Sequence, residues 1–133
     1  MSHYTRVRTT LRDPQVLVEA LADVGFAHVE QHAVAQPLVG YRGDLRAQAA
    51  EIIVRRKHVG PSSNDIGFAY QPNGTYEAII SEFDRRKFNQ QWLNRLAHAY
   101  GRRATLHFAT AHGYHVEEHA EAGQTRMVLR RYA

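Results

Sequence analysis

Tyr4-Thr5-Arg6-Val7-Arg8-Thr9-Thr10-Leu11 and, one residue further on, Asp13-Pro14-Gln15-Val16-Leu17-Val18-Glu19-Ala20-Leu21-Ala22-Asp23-Val24-Gly25 decide the fold class. In the first run Tyr4, Arg6, Arg8 and Thr10 fall on one side and Thr5, Val7, Thr9 and Leu11 on the other. That two-residue period is an amphipathic strand. In the second run Val16, Leu17, Ala20, Leu21 and Val24 recur at helical spacing. Asp13 is a good N-cap, Pro14 suits the first helical position, and Gly25 supplies the stop. A strand handed straight to a helix predicts an α+β chain.

The same reading runs downstream. Phe26 to Ala33 reads as a strand, the Gly- and Pro-containing stretch from Gln36 to Asp44 as a loop, and Ala50 to Arg56 as a strand. His58 to Asn64 reads as a loop. Asp65 to Tyr70 and Thr75 to Phe83 flank Gln71-Pro72-Asn73-Gly74, and the Asn-Gly pair marks a hairpin. From Lys87 the period is helical again, with Phe88, Trp92, Leu96, Ala99 and Tyr100 in one stripe that continues to Gly113. Gly101 is the place for a kink. Tyr114 to Ala120 and Thr125 to Tyr132 are a last pair of strands.

There is an internal echo. Leu21 to Ala33 and Ala109 to Ala120 both run helix end, Gly, aromatic, then His-Val-Glu-x-His-Ala. Both lead to a strand ending in paired arginines, Arg55-Arg56 and Arg130-Arg131. The expected fold is α+β: an antiparallel sheet with two main helices packed on one face, in a ferredoxin-like, pseudo-symmetric layout. Its 133 residues suit a single domain, 1–133.

Composition removes several classes of chemistry. With no cysteine, disulfides, thiolate zinc sites, iron–sulfur clusters and cysteine nucleophiles are excluded. No apolar run approaches the roughly 18 residues of a membrane span, and the start has no leader-like pattern, so a cytoplasmic location is expected. Net charge is +4, supplied almost wholly by arginine, which favours phosphate and carboxylate contacts.

Three groups of residues carry candidate chemistry. His28, Glu30 and His32, and again His115, Glu117 and His119, fall on one face of a strand, a donor set that suits zinc or iron if the strands are neighbours. Otherwise alternation alone makes them a solvent face. Arg85, Arg86, Arg102, Arg103, Arg130 and Arg131, with aromatics nearby, suit phosphates and bases. Tyr41 and Arg42 of Gly40-Tyr41-Arg42-Gly43, and Asp65 and Phe68 of Asp65-Ile66-Gly67-Phe68, are loop or strand-edge motifs suited to a protein partner. Ser62 and Ser63 lack the elbow of a nucleophilic serine, and no phosphate-binding loop is present. No catalytic residue and no cofactor is expected.

These motifs, read in order, resemble a known family. The opening Met1-Ser2-His3-Tyr4-Thr5, the helix ending at Gly25-Phe26, Gly40-Tyr41-Arg42-Gly43 and Ala50-Glu51-Ile52-Ile53-Val54-Arg55 form one group. Asp65-Ile66-Gly67-Phe68, Gly74-Thr75-Tyr76-Glu77, Leu96 with Tyr100, and Gly113-Tyr114 form another. Together they resemble the hypothetical chloroplast open reading frame thirty-five family of cyanobacteria, plastids and other bacteria, a domain of unknown function. The resemblance implies no established activity, cofactor or catalytic residue. Relatives encoded near AAA-type ATPases imply an accessory role. The function expected is therefore a non-enzymatic accessory or regulatory protein that binds a protein partner, with an AAA-type ATPase one such partner. The alternatives are a nucleic-acid-binding module using the paired arginines and a metal-dependent enzyme at the histidine strands.

Overall fold

The structure, a computed structural model, describes residues 3–132; Met1 and Ser2 of the opening motif lie outside them. Strand β1 (Tyr4–Arg8) leads to helix α1 (Pro14–Asp23). Strands β2 (Glu30–Val39) and β3 (Leu45–Val54) form a hairpin, followed by the single turn α2 (Arg56–Val59). A second hairpin, β4 (Ile66–Tyr70) and β5 (Tyr76–Ser81), runs into the turn α3 (Glu82–Arg85) and the long helix α4 (Gln90–His112). Strands β6 (Tyr114–Glu121) and β7 (Gln124–Arg131) close the chain. The first five strands make one antiparallel sheet in the order β1-β5-β4-β3-β2, and β6 and β7 make a sheet of their own.

Both helices start where their capping residues stand. Asp13 Oδ1 accepts from the Gln15 and Val16 amides at 2.9 and 3.2 Å, and Pro14 opens α1. Asn89 Oδ1 accepts from the Trp92 amide at 3.0 Å, and Gly113 ends α4 at φ 72°. Helix α4 runs unbroken through Gly101, so that glycine neither divides nor ends it.

Two expectations for the first hairpin are corrected. The strand placed at Phe26–Ala33 begins only at Glu30 and continues through the stretch read as a loop, as far as Val39. Strand β3 begins at Leu45, five residues before Ala50, and stops at Val54. The intervening loop shrinks to a turn closed by Gly40 N–H to Asp44 O and Gly43 N–H to Gly40 O, both 2.8 Å. Pro37 is tolerated because β2 is an edge strand. The echo survives as element order, α1-β2-β3 and α4-β6-β7. The two sheets do not make the ferredoxin-like layout, because β6 and β7 do not join the larger one.

The helices pack on one face of the large sheet. Ile52, Val54, Ile66, Phe68, Ala78 and Ile80 from that face meet Leu17, Ala20 and Leu21 of α1 and Trp92, Leu93 and Leu96 of α4. Phe26, Phe88 and Trp92 form an aromatic cluster with centroids 5.2–5.9 Å apart. On the opposite face Leu38, Ala50, Ile53, Ala69 and Ile79 pack with Tyr4. There Leu38 lies against Gly67: a methyl group at Gly67 would stand 2.8 Å from the Ala50 side chain and 3.0 Å from a Leu38 methyl. Among the described residues no helix is long and apolar enough to cross a membrane.

This contact sets the first prediction. Gly67→Ala should destabilise the protein by about 1–3 kcal/mol, the usual cost of overpacking. Urea unfolding should show a smaller cost for the same change in a Leu38→Ala background. Equal costs in both backgrounds would show that Leu38 is not what crowds the site.

Candidate functional site

Asp65 follows two buried residues, Ser63 and Asn64, and is itself fully buried. A carboxylate in that position needs donors on both oxygens. Oδ1 accepts from the Arg56 amide at 2.7 Å, and Oδ2 from the Val39 amide at 2.7 Å and Arg55 Nη1 at 2.8 Å. The Asp65 carbonyl accepts from the Tyr4 hydroxyl at 2.7 Å. Arg55 turns its other edge to Glu30, with Nε to Oε2 and Nη2 to Oε1, both 2.8 Å. His32 Nε2 lies 2.8 Å from the same Oε1.

This chain of contacts shifts protons in a consistent direction. The Arg55 hydrogen bonds, helped by His32, hold Glu30 down at about 2 from an ordinary 4.5. Hydrogen bonds from Glu30 and then Asp65 hold Arg55 above its ordinary range. Burial, and then the Asp65 charge, push the Tyr4 phenol up.

Beside the network lies an open groove of about 720 Å³. Pro37, Val39 and Leu45 give it an apolar side, and Arg56 and Lys57 a cationic one. Leu45 is 74% exposed, although it is a large apolar residue at a strand start. Neither Arg56 nor Lys57 has a carboxylate partner among the described residues. Glu30 and Asp65 are both committed to Arg55, so neither is a free acid or base for catalysis. The arrangement suits binding.

The residues singled out from sequence are scattered by the fold. Tyr41 and Arg42 lie on the turn between β2 and β3, where the Tyr41 amide donates to Asn64 Oδ1 at 3.0 Å and the Arg42 guanidinium stands 5.3 Å from the Tyr41 ring. Phe68 is fully buried in the core, and Asp65 is fully buried in the network, so neither offers a side chain to a partner. Their polar or aromatic character marked an interior role, and alternation along β4 gives no warning of it because both faces of that strand are covered.

The two histidine sets do not meet. His28 precedes β2 and stacks on His58 with centroids 5.1 Å apart, whereas His115, Glu117 and His119 stand on β6 in the other sheet. Among the described residues no group of three or more such side chains could hold a metal. Most of the arginine pairs are spent internally. Arg102 grips Glu118 at 2.6 and 3.1 Å, Arg103 grips Asp23 with two bonds of 2.7 Å, and Arg130 reaches Glu117 at 2.9 Å. Arg131 lies over Tyr114, Arg85 donates to the Phe88 carbonyl, and Arg86 donates to the Phe83 carbonyl. Arg55, Arg56 and Lys57 escape a sequence reading as a site. The available signal was the paired arginines at a strand end, and it does not reveal which carboxylates come to meet them.

The Glu30 shift gives a pH prediction. A carboxyl held at about 2 in the folded chain and at 4.5 when free contributes stability above 4.5 and loses it as pH falls from 4.5 towards 2. Glu30→Gln should therefore unfold more readily than the unaltered protein at pH 7, with the gap closing between pH 4.5 and 2. Denaturant midpoints across that range test it, and a gap independent of pH would refute the assignment.

Comparison with known proteins places the chain. The family described as "Protein of unknown function (DUF1257)" matches residues 20–128, which include the whole groove. The chain is 26% identical over 141 residues to the "Uncharacterized protein ycf35" of Guillardia theta, covering 99% of this chain and 98% of that protein. No solved structure matches. The family match spans most of the chain, and the chain belongs to this ycf35-like family of proteins of unknown function.

Proposed function

We propose that the protein is a non-enzymatic accessory or regulatory subunit, and that it binds a protein partner by holding an acidic, partly apolar segment of that partner in the Arg55 groove. The observation that carries this reading is the exposed Leu45 side chain beside two cations that have no carboxylate among the described residues. An apolar residue of the partner covers Leu45 and Pro37. Its carboxylates answer Arg56 and Lys57, which speeds encounter and fixes the register of docking. Tyr41 and Arg42, on the turn joining Val39 to Leu45, extend the surface. The Glu30–Arg55–Asp65 network supports it as a rigid floor, so little order has to be created on binding. The resemblance read from the motifs makes an AAA-type ATPase the first partner to try.

The test uses purified partner and protein after a nuclease-treated pull-down has supplied the partner. Arg56→Glu with Lys57→Glu should weaken the complex at least tenfold, and Leu45→Asp should do the same. Arg126→Glu, on the distant β6–β7 hairpin, should leave it intact. Cross-links from the partner to residues 36–57 should fall on an acidic segment. Binding unchanged by the groove variants overturns the proposal, as does recovery of nucleic acid with no nuclease-resistant protein.

A further inference from the structure

The two outer strands of the large sheet are β1 and β2, and they differ. Strand β2 breaks its register against β3. Strand β1 keeps one register against β5 over all five of its residues, from Tyr4 opposite Ser81 to Arg8 opposite Glu77. Pairs in an antiparallel ladder alternate between those that exchange two hydrogen bonds and those that exchange none. The Glu82 amide donates to the His3 carbonyl at 2.7 Å, which sets the phase. Thr5 and Val7 therefore direct their backbone groups to β5, and Tyr4, Arg6 and Arg8 turn theirs to the open side. An evenly spaced row of this kind is a template for a further strand.

Beside this edge, between β1 and the start of α4, runs a groove of about 290 Å³. Val7, Leu11, Leu93 and Ala97 give it apolar walls, and Gln90 and Asn94 a polar rim. Val7 and Leu11 pack into the core on the helix side of the sheet, and Tyr4 packs on the opposite side. Side chains alternate along a strand, so Arg6 and Arg8 stand on the same side as Tyr4. Both arginines are exposed. Arg6 meets Glu77 at 2.9 Å, and Glu77 is the residue opposite Arg8. That leaves Arg8 without a carboxylate of its own among the described residues. A strand laid along β1 meets an apolar groove with every second side chain and cations with the others.

The charges also choose between occupants. A second copy paired antiparallel through β1 and centred on Arg6 sets Arg6 against its own counterpart, and one centred on Arg8 does the same with Arg8. Like charges directly opposite one another are destabilising. An acidic strand reverses the sign of that contact. We infer that β1 takes up an extended segment of a protein partner as a sixth strand of the sheet. The segment alternates aliphatic residues, which enter the groove beside α4, with Asp or Glu, which face Arg6 and Arg8. Main-chain hydrogen bonds supply the affinity, and the groove and the arginines set the register. This surface shares no residue with the Arg55 groove.

The experiment is amide hydrogen exchange of the whole protein, read residue by residue by NMR, with synthetic peptides as probes: alternating Val-Glu, alternating Val-Lys, and Val-Glu peptides methylated on the backbone nitrogens of either the glutamates or the valines. In the free protein the Arg6 and Arg8 amides should exchange quickly and those of Thr5 and Val7 slowly. The Val-Glu peptide should bind saturably and slow the Arg6 and Arg8 amides at least tenfold. At least one methylated peptide should lose affinity at least tenfold, the glutamate version if the added strand is antiparallel and the valine version if it is parallel. Arg8→Glu should weaken the Val-Glu peptide at least tenfold and admit the Val-Lys peptide. Ala97→Lys, which fills the groove while adding a favourable charge, should weaken Val-Glu several-fold. Arg56→Glu with Lys57→Glu should leave it unchanged. No saturable binding of Val-Glu overturns the inference, as does equal binding of Val-Lys or binding that leaves Arg6 and Arg8 exchange as it was. So does protection of those amides that rises with protein concentration alone, which would assign the edge to a second copy.

Discussion

The Asp65 carboxylate has no contact with water, and the surrounding architecture is arranged to answer it. It draws in the Val39 amide from β2, the Arg56 amide and Arg55 side chain from the end of β3, and, through its own carbonyl, the Tyr4 hydroxyl from β1. Three strands and one helical turn thus converge on one residue at the start of β4. Such a pair gives little net stability when intact, yet removing one member typically costs about 3–5 kcal/mol. Its value is geometric: it ends β3 at Val54, starts α2, and holds β2 against its neighbour near a proline that cannot contribute a hydrogen bond.

Much of the frame was legible locally. Asp13-Pro14 and Gly25 bracket α1, and Asn73-Gly74 with the runs on either side give the β4–β5 hairpin, because each signal is confined to a few adjacent residues. The β6–β7 hairpin was equally legible. The first hairpin was not. Its strand β2 carries Gln, His and Pro because its edge and one flank are open, so its composition reads as loop. The contacts that Asp65 and Arg55 make join residues 9 to 61 positions apart, and no local period encodes them. Asp65 looked like a surface acid for the same reason: charge type is visible in a sequence, but desolvation is not.

The far end of the molecule is held by different means. Helix α4, about 34 Å long at 1.5 Å per residue, reaches beyond the large sheet. Its second half is tied by Arg103 to Asp23 and by His107 to Glu19 of α1, and by Arg102 to Glu118 of β6. A two-stranded sheet has little stability alone, so the helix is its support. Of the histidines that looked like ligands, His32 meets Glu30 and His119 meets Glu117, each a single carboxylate, while His28 stacks on His58.

Strand β2 carries a further consequence. Gln31 faces Ile52 and Gln36 faces Ala50, so five steps along β2 answer two along β3, and Pro37 follows at once. The backbone of this outer strand therefore never presents a long, evenly spaced row of donors and acceptors. A second copy brought alongside finds only brief stretches in step with its own. The irregularity that disguised the strand in the sequence thus guards crowded protein against growing strand by strand into fibres.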